Sequence, residues 1–265
     1  MNRLLGYLGD RLAAYLAAPR PHGAMVAIVP PGLLEATLRP GDVLLVEGES
    51  RISVPIKLLT QSNWSHATLY VGSAGRLGDV GPDVPILIEA DLRAGVRAVP
   101  LRAYSHMHTR ICRPVGLAAP EIARVVEFAI AQIGHRYDLK NLLDLVRYLL
   151  PAPPVPIHLR RRLIALGSGD PSRAICSTLI AQAFQEVRYP ILPEVTYRDA
   201  IDAAGRRCHR ALLHIRNHNL FAPCDFDMSP YFEVVKPLLR PGFDPHRLTW
   251  DDQAQRVGGV PAGPP

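Results

Sequence analysis

The sequence predicts an α+β protein built on an antiparallel sheet with helices packed against it. Three observations carry this. Between Arg39 and Gly116 apolar residues come in short, evenly spaced runs separated by Gly, Pro and Asp. From Ala118 onward their spacing lengthens to that of a helix. A second helical run, residues 170–187, follows a proline-rich stretch and carries a cysteine in its opening turns. Strands gathered first and helices later argue against a doubly wound parallel sheet.

The bulk composition sets limits. A chain of 265 residues can form one large domain or two small ones around a substantial core. With 48% hydrophobic and 20% charged residues it is globular rather than disordered. Its 26 prolines exceed the ordinary share of about 5% and imply long connections or a proline-rich insertion. Lys and Arg outnumber Asp and Glu by 30 to 24, giving a net charge of +6. That excess suits anionic partners such as phospholipid headgroups or acidic cell-wall fragments. Nucleic acid is not expected, because no zinc-finger spacing and no basic strand interleaved with aromatics is present. Cys112, Cys176, Cys208 and Cys224 are widely spaced, without a C-x-x-C, so no disulfide framework is expected.

Taken in order, residues 2–18 read as an amphipathic helix with Leu4, Leu5, Leu8, Leu12, Tyr15 and Leu16 on one stripe. It either packs on the domain or lies on a membrane surface. Arg3, Arg11 and Arg20 break the segment too often for a signal peptide or a membrane span, so the expected location is cytoplasmic, with a peripheral membrane contact left open. "RPGDVLLVEG" reads as a turn and a strand. "SHATLYVG" alternates, with His66, Thr68 and Tyr70 on one face and Ala67, Leu69 and Val71 on the other. "PILIEADL", "GVRAVPL" and "TRICRPVG" continue as strands. "APEIARVVEFAIAQIG" is a helix from Pro120 to Gly134, and "YDLKNLLDLVRYLL" another, ended by "PAPPVP". "IHLRRRLIALG" is a short basic and apolar helix. In residues 170–187, Asp170 suits the N-cap, Pro171 the first helical position, and Cys176, Leu179, Ile180, Ala183 and Val187 share a face. Residues 190–220 read as loop and helix, and "PYFEVVKPL" as a last strand. The expected organisation is an N-terminal helix at 1–20, a domain at 39–240 with a helical, Pro-containing insertion at about 140–170, and a tail at 241–265.

Free cysteine is among the most buried residues, and Cys176 alone reads as core. A helix N-terminus, however, favours thiolate and lowers a cysteine pKa. A thiol nucleophile needs a base and a third group to orient that base. His66, flanked by small polar residues in "NWSHATLY", is the candidate base. Glu89 is the candidate orienter, since a charge beside Ile86, Leu87 and Ile88 needs a partner. Ser65, Tyr70, Ser177 and Tyr137, in or beside the same motifs, are candidate substrate contacts.

Together these stretches resemble a family. "RPGDVLLV", "SHATLYVG", "ILIEA", the Gly-x-x-Tyr-Asp turn in "GHRYD", "ICSTLIAQAF" and "PCDFDMSPYFEVVKP" are similar to the permuted papain-like amidases, the YiiX/YebB-like branch of the NlpC-type cysteine hydrolases. In papain-like proteases the cysteine precedes the histidine; here the histidine comes first, the order a circular permutation produces. The resemblance implies a permuted papain-like fold, with Cys176 as nucleophile, His66 as general base and Glu89 as orienting residue. It implies a cysteine hydrolase that cleaves an amide or ester through an acyl-enzyme, on a peptide-like, lipid-linked or cell-wall-derived substrate, with no cofactor. "RAICS" lacks the aromatic that often precedes the family cysteine, and the insertion is long and apolar.

Two other readings stand beside it. His106, His108, Cys208, His209, and the i, i+4 pair His214 and His218 offer metal-ligand types, but no acidic or cysteine partner stands at motif distance. A non-catalytic or acyl-transferring lipid-binding protein is the alternative function, with Arg160, Arg161 and Arg162 between apolar stripes.

Overall fold

The computed structural model of the chain describes residues 29–73, 84–91, 94–135, 175–201 and 207–237, with Tyr15, Ala18, Asp244 and His246. Apart from those four isolated residues, the expected N-terminal helix and the far C-terminal tail lie outside the described residues, as does the insertion at 140–170.

The chain order is α1 (Pro31–Thr37), β1 (Val43–Val46), α2 (Ser53–Thr60), β2 (His66–Ser73), β3 (Pro85–Asp91), β4 (Gly95–Pro100), β5 (Thr109–Pro114), α3 (Ala119–Ala131), α4 (Ile175–Gln185), β6 (Glu194–Ile201), β7 (Arg207–His214), α5 (Pro223–Met228) and β8 (Phe232–Val235). Short 3₁₀ turns occupy Leu101–Tyr104 and His218–Leu220. Six strands form one sheet in the order β4-β3-β2-β1-β5-β8, every neighbouring pair antiparallel. This is the α+β arrangement expected from the sequence, with the cysteine helix α4 packed on β2, β3 and α3.

Alternation along the strands builds two cores. Val43, Leu45, Ala67, Leu69, Val71, Ile86 and Ile88 face the helices and pack with Val125, Val126, Leu179, Ile180 and Phe184. Leu44, Val46, Tyr70, Leu87 and Val99 face the other way, onto Leu34 of α1, Leu38 at its C-terminal end and Leu101 of the 3₁₀ turn. β1 is buried at all four residues because it lies inside the sheet and is covered on both faces. Burial of this kind contributes roughly 1.5–3 kcal/mol per large side chain.

The family-like motifs that surround the site are largely braces of the fold. Gly41 has φ +91, and a Cβ there would lie 2.9 Å from Ile122, so only glycine fits the turn. Asp42, 1% exposed, accepts the Arg39 N–H and both Nε and Nη2 of Arg113 at 2.7–2.9 Å. In the closing motif, Asp225 takes the Ala222 N–H, the Ser229 hydroxyl donates to the Ile191 carbonyl, and Phe226 and Phe184 meet Phe232 edge to face. Those contacts tie α4, α5 and β8 together.

The structure corrects one reading. Residues 190–220 contain a two-stranded ribbon, β6 paired with β7, rather than only loop and helix. Its alternation is genuine, but Val195, Tyr197 and Leu213 stay exposed, so the usual contrast between buried and polar faces is missing. The helices α1, α2 and α5, of six to eight residues, are too short to show a periodic stripe.

Candidate active site

Three elements converge. His66 opens β2, Glu89 lies near the end of β3, and Cys176 sits in the first turn of α4. The Leu69↔Ile88 register sets Glu89 on the same face as Thr68 and His66. His66 Nε2 lies 2.7 Å from Glu89 Oε2. The Cys176 thiol is brought close enough to the imidazole for the two to influence each other's charge. With Nε2 taken by the carboxylate, Nδ1 is the ring nitrogen left for sulfur. Cys176 is 5% exposed and Glu89 2%, while His66 keeps some access to solvent.

The electrostatics follow from these contacts. Burial alone would raise the Cys176 pKa; the His66 charge and hydrogen bond, the Ala67 backbone N–H and the Ser177 hydroxyl outweigh it and hold the thiol below its ordinary value. Burial alone would lower His66, but the sulfur and then Glu89 raise it to about 10. Glu89, which burial would push up, is brought down to about 2 by His66, Tyr104 and Arg97. The Cys176 and His66 shifts both favour the thiolate–imidazolium form of the pair. The other described thiols go the opposite way: burial pushes Cys112 up to about 12 and Cys224 to about 11.

The remaining candidates scatter. Ser177 is fully buried, its hydroxyl 3.9 Å from the Cys176 sulfur. Ser65 is buried and accepts the Gly48 N–H at 2.9 Å, a fold contact. Tyr70 packs in the far core with Leu34 and Leu38 and is not brought to the thiol, because each residue of strand advances about 3.3 Å and it stands four beyond His66. In this structure Ser65 and Tyr70 are therefore engaged in fold contacts. Tyr137 lies outside the described residues.

Two residues at the site went unread in the sequence. Arg97 donates from Nε to Glu89 Oε1 at 2.8 Å, and Tyr104 donates its hydroxyl to Oε2. Arg97 was discoverable, since "EADLRAGVR" is a hairpin whose register sets it opposite Glu89. Tyr104 carried no such signal, because a 3₁₀ turn delivers it.

Among the described residues no group of three His, Cys, Asp or Glu side chains could hold a metal ion. His108 instead faces Glu47 at 3.1 Å, and His214 bonds Thr196 at 2.7 Å.

A family model described as permuted papain-like amidase enzyme, YaeF/YiiX, C92 family, matches residues 37–148. Over that stretch, less than half of its length, the chain is similar to the permuted papain-like amidases. The match to this amidase family spans His66, Glu89, Arg97 and Tyr104 and ends before Cys176, which the tertiary structure alone brings alongside. The crystal structure of metalloprotein yiiX from Escherichia coli O157:H7 is similar at a TM-score of 0.44 and 16% identity, covering 75% of this chain and 96% of that one. No curated protein matches the sequence.

Proposed function

We propose that this permuted papain-like chain is a cysteine hydrolase that cleaves an amide or ester bond through an acyl-enzyme. The observation that carries the reading is the meeting of Cys176, His66 and Glu89, with His66 Nε2 2.7 Å from Glu89 Oε2; among the described thiols Cys176 alone is held low, while Cys112 and Cys224 are pushed up. In this reading the Cys176 thiolate attacks the substrate carbonyl carbon and a C–S bond forms. The carbonyl oxygen becomes an oxyanion, for which the Cys176 backbone N–H, in the opening turn of α4, is a donor. The intermediate collapses, the C–N or C–O bond breaks, and His66 gives its proton to the leaving group. Water then attacks the thioester while His66 takes a proton from it, releasing the acid and restoring the thiol. Glu89 keeps the imidazole oriented and stabilises its positive charge. The substrate class favoured is an acylated or cell-wall-derived amide met at an anionic surface, supported by the net charge of +6.

Limited iodoacetamide labelling of the folded protein, mapped by mass spectrometry, tests the nucleophile. Cys176 should label first near neutral pH; earlier labelling of Cys112, Cys208 or Cys224 would remove it. A non-catalytic lipid binder would show no thiol distinguished in this way.

A further inference from the structure

Glu89 has more donors than orienting one imidazole demands. Oε2 faces His66 Nε2 at 2.7 Å and also accepts the Tyr104 hydroxyl. Oε1 accepts Arg97 Nε and faces Nη2, both at 2.8 Å. An ionised carboxylate has about four acceptor sites, and here every one is occupied by protein. The donors arrive from three elements: β2, β4 and the 3₁₀ turn after β4. Arg97 grips one oxygen as a fork, which leaves rotation about the Cγ–Cδ bond as the residual freedom of the carboxylate. Tyr104 acts on the other oxygen, the one that meets the imidazole. Its ring also lies 5.9 Å from the His66 ring, tilted by 40°.

We propose that Tyr104 is a positioning residue of the hydrolase: its hydroxyl, working against the Arg97 fork, fixes the Glu89 oxygen that holds His66 in line with the Cys176 thiol. The proposal rests on the cysteine-hydrolase reading. Among the described residues, the charged and titratable groups facing this pair are Glu89 and Asp91 on β3, Arg97 on β4, Tyr104 on the turn and Cys176 on α4; Asp91 lies 3.6 Å from Arg97. A tyrosine that merely filled space against a buried charge would affect stability alone. A positioning tyrosine affects how easily the imidazolium forms, and with it the thiolate.

Tyr104→Phe keeps the ring and deletes the donor. The experiment is the rate of Cys176 alkylation by iodoacetamide as a function of pH, in full-length wild type and variant. Without the hydroxyl, Glu89 swings about the Arg97 fork and the His66 hydrogen bond lengthens. The imidazolium loses support, and thiolate formation requires higher pH. The acid limb of the profile should move up by roughly half a unit, about threefold slower labelling on the limb, which is a fraction of one hydrogen bond to a charged group. A superimposable profile with a lower melting temperature would make Tyr104 structural and overturn the proposal. A limb shifted to lower pH would mean that the hydroxyl only draws charge from Glu89, which also overturns it. Should Tyr104→Phe not fold, the wild type carries the test: with ¹³Cζ-labelled tyrosine, the Tyr104 resonance should follow the Cys176 limb, and a flat response would end the idea. If Cys176 is not the fastest thiol in wild type, the hydrolase reading fails and this proposal with it. A fast Cys176 with an unmoved limb sinks the positioning role alone.

Discussion

A carboxylate at 2% exposure keeps its charge only while donors surround it, so Glu89 sets the acid tolerance of the site. Its pKa is about 2 in the fold against 4.5 as the ordinary value. A depressed folded pKa contributes stability that is present above about 4.5 and is lost as pH falls through about 2. For His66 the sign reverses: its contribution is present below 6.5 and is lost as pH rises through about 10. Urea midpoints measured from pH 5 down to 2 should therefore fall steeply in wild type and less in Glu89→Gln, whose residue 89 does not titrate. The two substitutions at the dyad should also separate in activity. His66→Ala removes the base and should abolish nearly all turnover. Glu89→Gln should leave more, because the imidazole still meets the thiol part of the time. Turnover of a chromogenic amide or ester by both variants checks this, and a fully active Glu89→Gln protein would exclude Glu89 as the orienter.

At the scale of elements, the site depends on how the sheet is fastened at its other end. Asp42 and Arg113 are a buried pair that joins the turn before β1 to β5, with Arg113 also donating to the Thr37 carbonyl at the end of α1. Arg113→Ala leaves Asp42 buried without its ion-pair partner, and should cost about 3–5 kcal/mol in urea unfolding. The same scale shows what could be read without coordinates. Alternation in "SHATLYVG" and a solitary charge after "PILI" sufficed to align His66 with Glu89, because sheet registers are simple and both residues lie within one antiparallel pair. The cysteine helix was legible from its stripe, which lies against the core at Leu179, Ile180 and Ala183. The β6–β7 ribbon was not, since an exposed apolar face lacks the pattern that burial writes into a sequence. Tyr104 was hidden for another reason: a short turn has no periodicity from which to infer where a side chain arrives.

For the whole molecule the open question is what surface it meets. No described helix is long and apolar enough to cross a membrane. The net charge of +6 leads us to expect attraction to anionic lipid, at roughly 1 kcal/mol for each basic residue held near the surface. Flotation with vesicles should recover full-length protein on anionic lipid at low salt, less at high salt, and least on neutral lipid. A chain that stays unbound throughout, and that cleaves short water-soluble amides as well as acylated ones, would point to a soluble peptide-like substrate.

The permuted order has a consequence for biosynthesis. His66, Glu89, Arg97 and Tyr104 all lie within one early stretch of the sheet, and the thiol comes much later, at residue 176. A ribosome working from the N-terminus therefore completes His66 and Glu89 well before it adds the cysteine. The growing chain holds an imidazole that has yet to meet a thiol. The thiol meets the imidazole only when α4 docks against β2 and β3. In the unpermuted order the cysteine would emerge first and wait for its histidine. Here the sulfur is the last of these site residues to be made, and β8, which completes the sheet, follows it.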